Sequence, residues 1–406
     1  MHKIYAALLI LCVSLFAVFY KPADKTSQDE VIVWTLQMSD FSDYMSNVIS
    51  EFEKENPTIK IKWIDVPFSE GEKRTLASVL SDNPPDLINL NPDFSATLAQ
   101  KGALAEIDKT QTSQFNQEIL KSLEYNGKLY SIPWYATSAV TIYNKKLIQK
   151  AGVEVPKTYE EIGQIAPIIK EKTGTYVFLP NITENDTMLK ILNKYGVNSP
   201  EKITSDKSIK VFEFFKNLYA NNLIPKESIT QTHREALEKY MSENIVLFQA
   251  GANFLNMIKE NAPSTYKNTD VAPQITGELG QNDFSLMNFI IPLKAKHKDE
   301  ALKFALYLTN DKNQLELAKL TNVIATNNSA LQDDFYTKYN ETDLMAKARV
   351  ISARQLTKVQ PVLKSSRNQK DINNLINTAV QEILLNKNST KNILENVQKD
   401  WIILNN

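Results

Sequence analysis

Between residues 31 and 101 the chain alternates short apolar runs with amphipathic stretches, and few architectures accept that order. Val31-Ile-Val-Trp34 is a short buried run. After it, Phe41, Tyr44, Met45, Val48, Ile49 and Phe52 recur at helical spacing, and Pro57 ends the pattern. Ile59, Ile61 and Trp63 alternate as a strand. Glu72–Ser81, with Leu76, Val79 and Leu80, reads as a second helix broken by Pro84-Pro85. Asp86-Leu-Ile-Asn-Leu90 is a third strand, and a helix follows around Ala96–Lys101. Parallel neighbours need a crossover long enough for a helix, so this order predicts a parallel, doubly wound α/β sheet.

The pattern then changes. Asn126-Gly127 between Tyr125 and Tyr130 is a two-residue hairpin signal. A strand is predicted over Ala136–Tyr143, then a short helix Asn144–Ala151 closed by Gly152. Thr158-x-x-Glu161 is a capping box ahead of Ile162, Ile165, Ala166 and Ile169. Helices are expected over Asp206–Asn221, His233–Glu243 and Ala252–Glu260, with strands at Ile245–Gln249 and Phe284–Ile291. From Lys298 onward the chain reads as nearly all helix, ending in Thr342–Leu356, Asp371–Leu385 and Asn392–Ile403.

Length and composition narrow the function. A chain of 406 residues is expected to form roughly two domains. One Cys and three His leave little material for a thiol or metal centre, so no cofactor is expected. Lys and Arg total 46 against 47 Asp and Glu, which gives no broad basic face for nucleic acid. Only five residues are Arg (Arg74, Arg234, Arg349, Arg354 and Arg367), which disfavours a dedicated phosphate or carboxylate binder. His233 and His297 read as surface helix residues.

The first 29 residues form an export signal or membrane anchor with a polar tether. Ile4 to Phe19 carries no charge, Lys3 precedes it, and Lys21, Pro22 and Asp24 follow. Cleavage, lipidation at Cys12 and retention as an uncleaved helix all remain open. Each puts the remaining chain outside the cytoplasm, in the periplasm or on the outer face of the membrane.

Five blocks carry a resemblance. Val31-Ile-Val-Trp34 with Phe52-Glu-Lys-Glu-Asn-Pro57-x-Ile59-Lys-Ile61 is the first. Asn83-Pro-Pro-Asp86-Leu-Ile, continuing through Leu98-Ala-Gln-Lys-Gly102-Ala-Leu104 to Asp108, is the second. The most specific runs from Asn126-Gly-Lys-Leu-Tyr130-Ser-Ile-Pro133 through Tyr143-Asn144 to Pro156-x-Thr158-Tyr159-x-Glu161. Phe248-Gln-Ala-Gly251-Ala-Asn-Phe254 and Ala301-Leu-Lys-Phe304-x-x-Tyr307 with Asp311-Lys-Asn-Gln314 complete the set. In this order and spacing the chain resembles the extracellular solute-binding proteins of ABC importers, of the sugar-binding, maltose-binding-protein-like type.

That resemblance implies a periplasmic-binding-protein-like fold, with two doubly wound α/β lobes joined by crossing hinge strands and a ligand held between them. It implies a first lobe of residues 30–138 with 293–340 and a second of 139–292 with 341–406. It further implies a mono- or oligosaccharide ligand, ABC transporter permease subunits as membrane partners, a monomer and no catalysis. Binding of another small solute, a sensory role and a carbohydrate-active enzyme are the competing readings.

Sugars present hydroxyls and flat C–H faces, so their sites need aromatic platforms and short polar side chains. In doubly wound sheets the ligand lies beyond the carboxyl ends of strands. After the first strand come Trp34, Gln37 and Asp40; Trp34 is a platform or a core residue, and Asp40 a hydroxyl ligand or a helix cap. Asp93 follows the third strand and has the same two readings. Trp134 and Tyr135, just after Pro133, form the leading candidate platform. Gly251, Asn253 and Phe254 follow the strand at Ile245. The family usually carries a Trp near there, and this chain has Asn253 or Phe254 instead. Asn288 and Asn322 complete the candidates.

Overall fold

The computed structural model describes residues 30–356, 368–385 and 389–405. The N-terminal apolar segment, with Cys12, lies outside them.

The first lobe opens with β1 (Glu30–Leu36), α1 (Ser42–Glu55), β2 (Lys60–Val66), α2 (Phe68–Val79), β3 (Leu87–Leu90) and α3 (Pro92–Gln100). β1 pairs in parallel with β2 on one side and β3 on the other, as the alternation predicts. All four residues of β3 are buried, which is what a strand covered on both faces requires. Buried Asp86 ties the start of β3 to its surroundings. Its carboxylate accepts from the N–H groups of Ile32 (2.9 Å), Lys296 and His297 (3.0 Å each). The hairpin signal also holds, because Asn126 and Gly127 have φ of 50° and 76° between two short paired strands.

The predicted strand Ala136–Tyr143 is two strands in two sheets. β4 (Ser131–Thr137) belongs to the first sheet and β5 (Val140–Asn144) to the second. No Gly or Pro marks the break at Ser138-Ala139, so local chemistry gave no sign of it. The second lobe continues with α4 (Lys145–Ala151), α5 (Tyr159–Thr173), β6 (Tyr176–Phe178), α6 (Thr187–Asn193), α7 (Asp206–Ala220), α8 (His233–Met241), β7 (Ile245–Ala250), α9 (Phe254–Asn261) and β8 (Thr269–Ala272). Its sheet order is β8-β5-β7-β6. Thr158 caps α5 by accepting from the Glu161 N–H at 3.2 Å; the Glu161 carboxylate, however, accepts from Lys157 rather than Thr158.

β9 (Ser285–Ile290) returns to the first sheet, antiparallel to both β3 and β4. The predicted boundary at residue 292 therefore moves to about 284. The first sheet is mixed rather than wholly parallel. α10 (Lys298–Leu308) and α11 (Asp311–Thr321) cover it, and β10 (Ile324–Ala325), which the helical reading of this region missed, pairs with β4. α12 (Leu344–Gln355) contributes Ala348 to a core cluster of the second lobe and Ala353 to one of the first. α13 (Gln369–Leu385) and α14 (Thr390–Asn405) then pack on the second lobe. Each sheet carries apolar clusters on both faces, the signature of two doubly wound lobes. No described helix is long and apolar enough to cross a membrane.

Candidate ligand cleft between the lobes

Strands β6 and β7 run parallel, so their carboxyl ends open on the same side of the second sheet. Beyond those ends lies a cavity of about 500 Å³. Its floor is Phe178, Leu247 and Phe248, and its roof includes the crossing residues Ser138 and Asp283. This is where a doubly wound sheet receives a ligand, and the volume suits a small organic molecule.

Three segments pass between the lobes here, and one buried polar network joins them. Ser138 Oγ accepts from Gln274 Nε2 (3.1 Å) and Gln355 Nε2 (2.9 Å) and donates to the Asp283 carbonyl (3.1 Å). The Gln274 N–H donates to Gln355 Oε1 at 2.7 Å. Lys194, at the end of α6, brings its ammonium to Asp283 (2.8 Å), to the Ile275 carbonyl (2.7 Å) and to Gln274 Oε1 (3.2 Å). Its three donors thus meet three acceptors, which is what makes a buried cation tolerable.

On the second-lobe wall, Gly251 and Asn253 lie where the sequence predicts. At Gly251 a Cβ would fall 2.6 Å from Asn253 Oδ1, so a larger residue there must displace the Asn253 side chain. Phe254 packs edge-on against Phe248 with ring centroids 5.8 Å apart. All three residues line the cavity.

The first-lobe candidates divide. Asp65, not Asp40, shapes the loop after β1. Its carboxylate accepts from Thr35 Oγ1 (2.8 Å) and from the N–H groups of Met38 and Ser39 (2.9 Å each). Asp40 sits exposed in a short turn and makes no side-chain cap, which corrects its reading as a helix cap. Gln37 is exposed with φ of 53°. Trp34 is half-buried and packs on the core cluster that includes Leu36, Ile88 and Leu90, with the Arg74 guanidinium 5.9 Å from its ring. Asp93 occupies the first turn of α3, whose cap is Asn91 rather than Asp93. Its carboxyl is accessible yet crowded by protein. Desolvation, then the Asp186 carboxylate of the second lobe, push it up to about 6, against the opposing pull of Lys190. Asp93 itself does not line the cavity, whereas Lys190 does.

Trp134, the leading candidate platform, is not in the cleft. It is 0% exposed and lies in the first lobe's core, its ring 4.6 Å from that of Phe289. The ladder between β4 and β9 is irregular at Met287/Asn288, opposite Pro133–Tyr135, and the Trp134 side chain joins Ile132 and Ala136 inside. Tyr135 is half-buried and packs edge-on against Trp134 at 5.0 Å; burial pushes its hydroxyl up to about 12. Asn288 is also fully buried, donating to Ser95 Oγ at 2.8 Å, and serves the core. Asn322 ends α11 in the left-handed region.

Sequence reasoning missed much of the wall. Tyr159, Asn181, Lys194, His233, Gln249 and Asp283 all line the cavity. His233, read as a surface residue, has Nε2 2.9 Å from the Gln249 carbonyl. The available signal was the Phe178-Leu-Pro-Asn181 run, whose strand β6 went unrecognised.

A family model described as bacterial extracellular solute-binding protein matches residues 47–344. The chain is 28% identical over 312 residues to the multiple sugar-binding protein of Streptococcus mutans, covering 71% of this chain and 73% of that one. It is 25% identical over 339 residues to the diacetylchitobiose binding protein of Streptomyces coelicolor, covering 77% and 76%. Its fold matches a periplasmic-binding protein from Synechococcus with a TM-score of 0.82 and 28% identity, over 91% of this chain and 98% of that one. The matched residues make up more than half of the chain, and the chain belongs to the bacterial extracellular solute-binding proteins.

Proposed function

We propose that the chain captures a carbohydrate in the cavity between its lobes and delivers it to the permease of an ABC importer. The observation that carries this reading is the cavity itself. It lies at the lobe crossing, and aromatic rings line it beside short polar side chains. The relatives whose names state a ligand support the class: multiple sugars, diacetylchitobiose, galactooligosaccharide and maltodextrin. Phe248 and Phe254 offer the apolar surface, and Asn181 and Asn253 the hydroxyl partners, with Asp93 and Gln37 meeting the ligand from the first lobe. Hinge closure over the bound sugar presents the docking surface to the membrane partner. The N-terminal segment keeps the protein outside the cytoplasm as a secreted or anchored form.

Calorimetric titration with maltotriose, diacetylchitobiose, a galactooligosaccharide and mannitol tests the reading. Saturable binding of one of them, with the sugar recovered unchanged, supports a binding protein. Turnover of the sugar, or binding only to an amine or a peptide, overturns it.

A further inference from the structure

His233 is held in place at two points. Its main-chain N–H donates to Glu184 at 2.7 Å, and its ring Nε2 lies 2.9 Å from the Gln249 carbonyl oxygen. The ring is flanked by Phe248 and Phe254, at centroid distances of 4.7 and 5.0 Å. A carbonyl oxygen can only accept, so Nε2 carries the hydrogen of that bond. In a neutral imidazole the other nitrogen, Nδ1, is then a bare acceptor. Much of the polar lining around it is already committed. Gln274 makes four side-chain hydrogen bonds within the protein, and each Lys194 N–H has a partner. Gln249 Oε1 accepts from the Ile275 N–H at 3.2 Å. An acceptor fixed in position beside apolar rings suits a donating hydroxyl, because the protein's side of the bond is ordered before binding.

We infer that His233 is a specificity-determining residue of this cleft: Gln249 locks its tautomer, and Nδ1 accepts a hydrogen bond from a ligand hydroxyl. The inference rests on the reading that a carbohydrate enters this cavity. It selects ligands that place an equatorial or axial hydroxyl, rather than an acceptor, against the wall formed by Phe248 and Phe254.

Long-range proton–nitrogen spectra of the imidazoles provide the test, since the chain has only His2, His233 and His297. At pH 8, His233 is expected as the Nε2–H tautomer. Its Nδ1 resonance is expected to move when whichever of maltotriose, diacetylchitobiose, galactooligosaccharide or mannitol binds is added to saturation, while those of His297 stay put. Three substitutions separate packing from hydrogen bonding. His233→Phe keeps ring packing alone and should weaken binding about tenfold. His233→Asn restores an acceptor near Nδ1 and should recover part of that loss. His233→Gln restores only the donor to Gln249 and should recover less. An Nδ1–H tautomer, an unmoved Nδ1 resonance in the sugar complex, or equal binding by His233→Phe would each overturn the inference alone. If none of the four sugars binds, the carbohydrate reading fails and this inference falls with it.

Discussion

The Lys194 ammonium lies 2.8 Å from the Asp283 carboxylate, and this pair joins the cavity wall of the second lobe to a segment that crosses between lobes. Lys194 is 2% exposed and Asp283 28%. Removing one member of such a pair leaves the other charge and two further acceptors stranded. Lys194→Met should therefore cost about 3–5 kcal/mol of folding free energy. Urea unfolding without ligand measures it; a change below about 1 kcal/mol would mean water reaches the network and solvates it.

Trp134→Ala should act on stability rather than on ligand contact. Truncating a fully buried Trp costs about 3–5 kcal/mol. Trp134→Phe should cost less, because the indole Nε1 makes no hydrogen bond among the described residues. Thermal unfolding and calorimetry on both variants check this. A Trp134→Phe protein that folds as wild type but binds no sugar would return Trp134 to the site.

Asp93 should leave a mark on the pH profile. Its folded value, about 6, exceeds that of an unfolded Asp, so the native state binds more protons between roughly pH 4 and 6. Its contribution to stability therefore falls as pH rises through that window and is most favourable below it. Asp93→Asn removes this dependence, so the variant should gain thermal stability relative to wild type as pH rises from 4 to 6. Parallel melting curves across the window would contradict the assignment.

Gly251→Ala tests close packing at the cavity mouth. The new Cβ meets only the Asn253 side chain, which is exposed and can swing away. Stability should change by less than about 1 kcal/mol while sugar affinity falls. The stability cost should shrink in an Asn253→Ala background, and a double-mutant cycle in urea reads that coupling. A cost unchanged by Asn253→Ala would place the clash elsewhere.

Much of the architecture was legible because local chemistry and global fold agree in the first lobe. The helices between β1, β2 and β3 leave parallel pairing as the natural solution, and Asn126-Gly127 adopts the left-handed pair a tight hairpin demands. The crossing at Ser138-Ala139 was illegible because no Gly or Pro interrupts the chain from Trp134 to Tyr143. The site was harder still. A strand covered on both faces looks equally apolar on each, so nothing local says that Trp134 points inward. His233 begins an amphipathic helix and resembles any exposed N-terminal residue until Gln249 and Phe248 close over it. Gly251, Asn253 and Phe254 line the cavity and could be named as candidates because the carboxyl end of a parallel strand is a position that sequence order alone can name.

Calorimetry of the wild-type chain beside a Gly251→Phe variant tests the central claim most directly, because that substitution adds a large side chain at a residue that lines the cavity. The wild type should bind at least one of maltotriose, diacetylchitobiose, galactooligosaccharide and mannitol, and the folded variant should bind none. A folded variant that binds the same sugar with unchanged affinity would contradict the claim that the ligand occupies the cavity between the lobes.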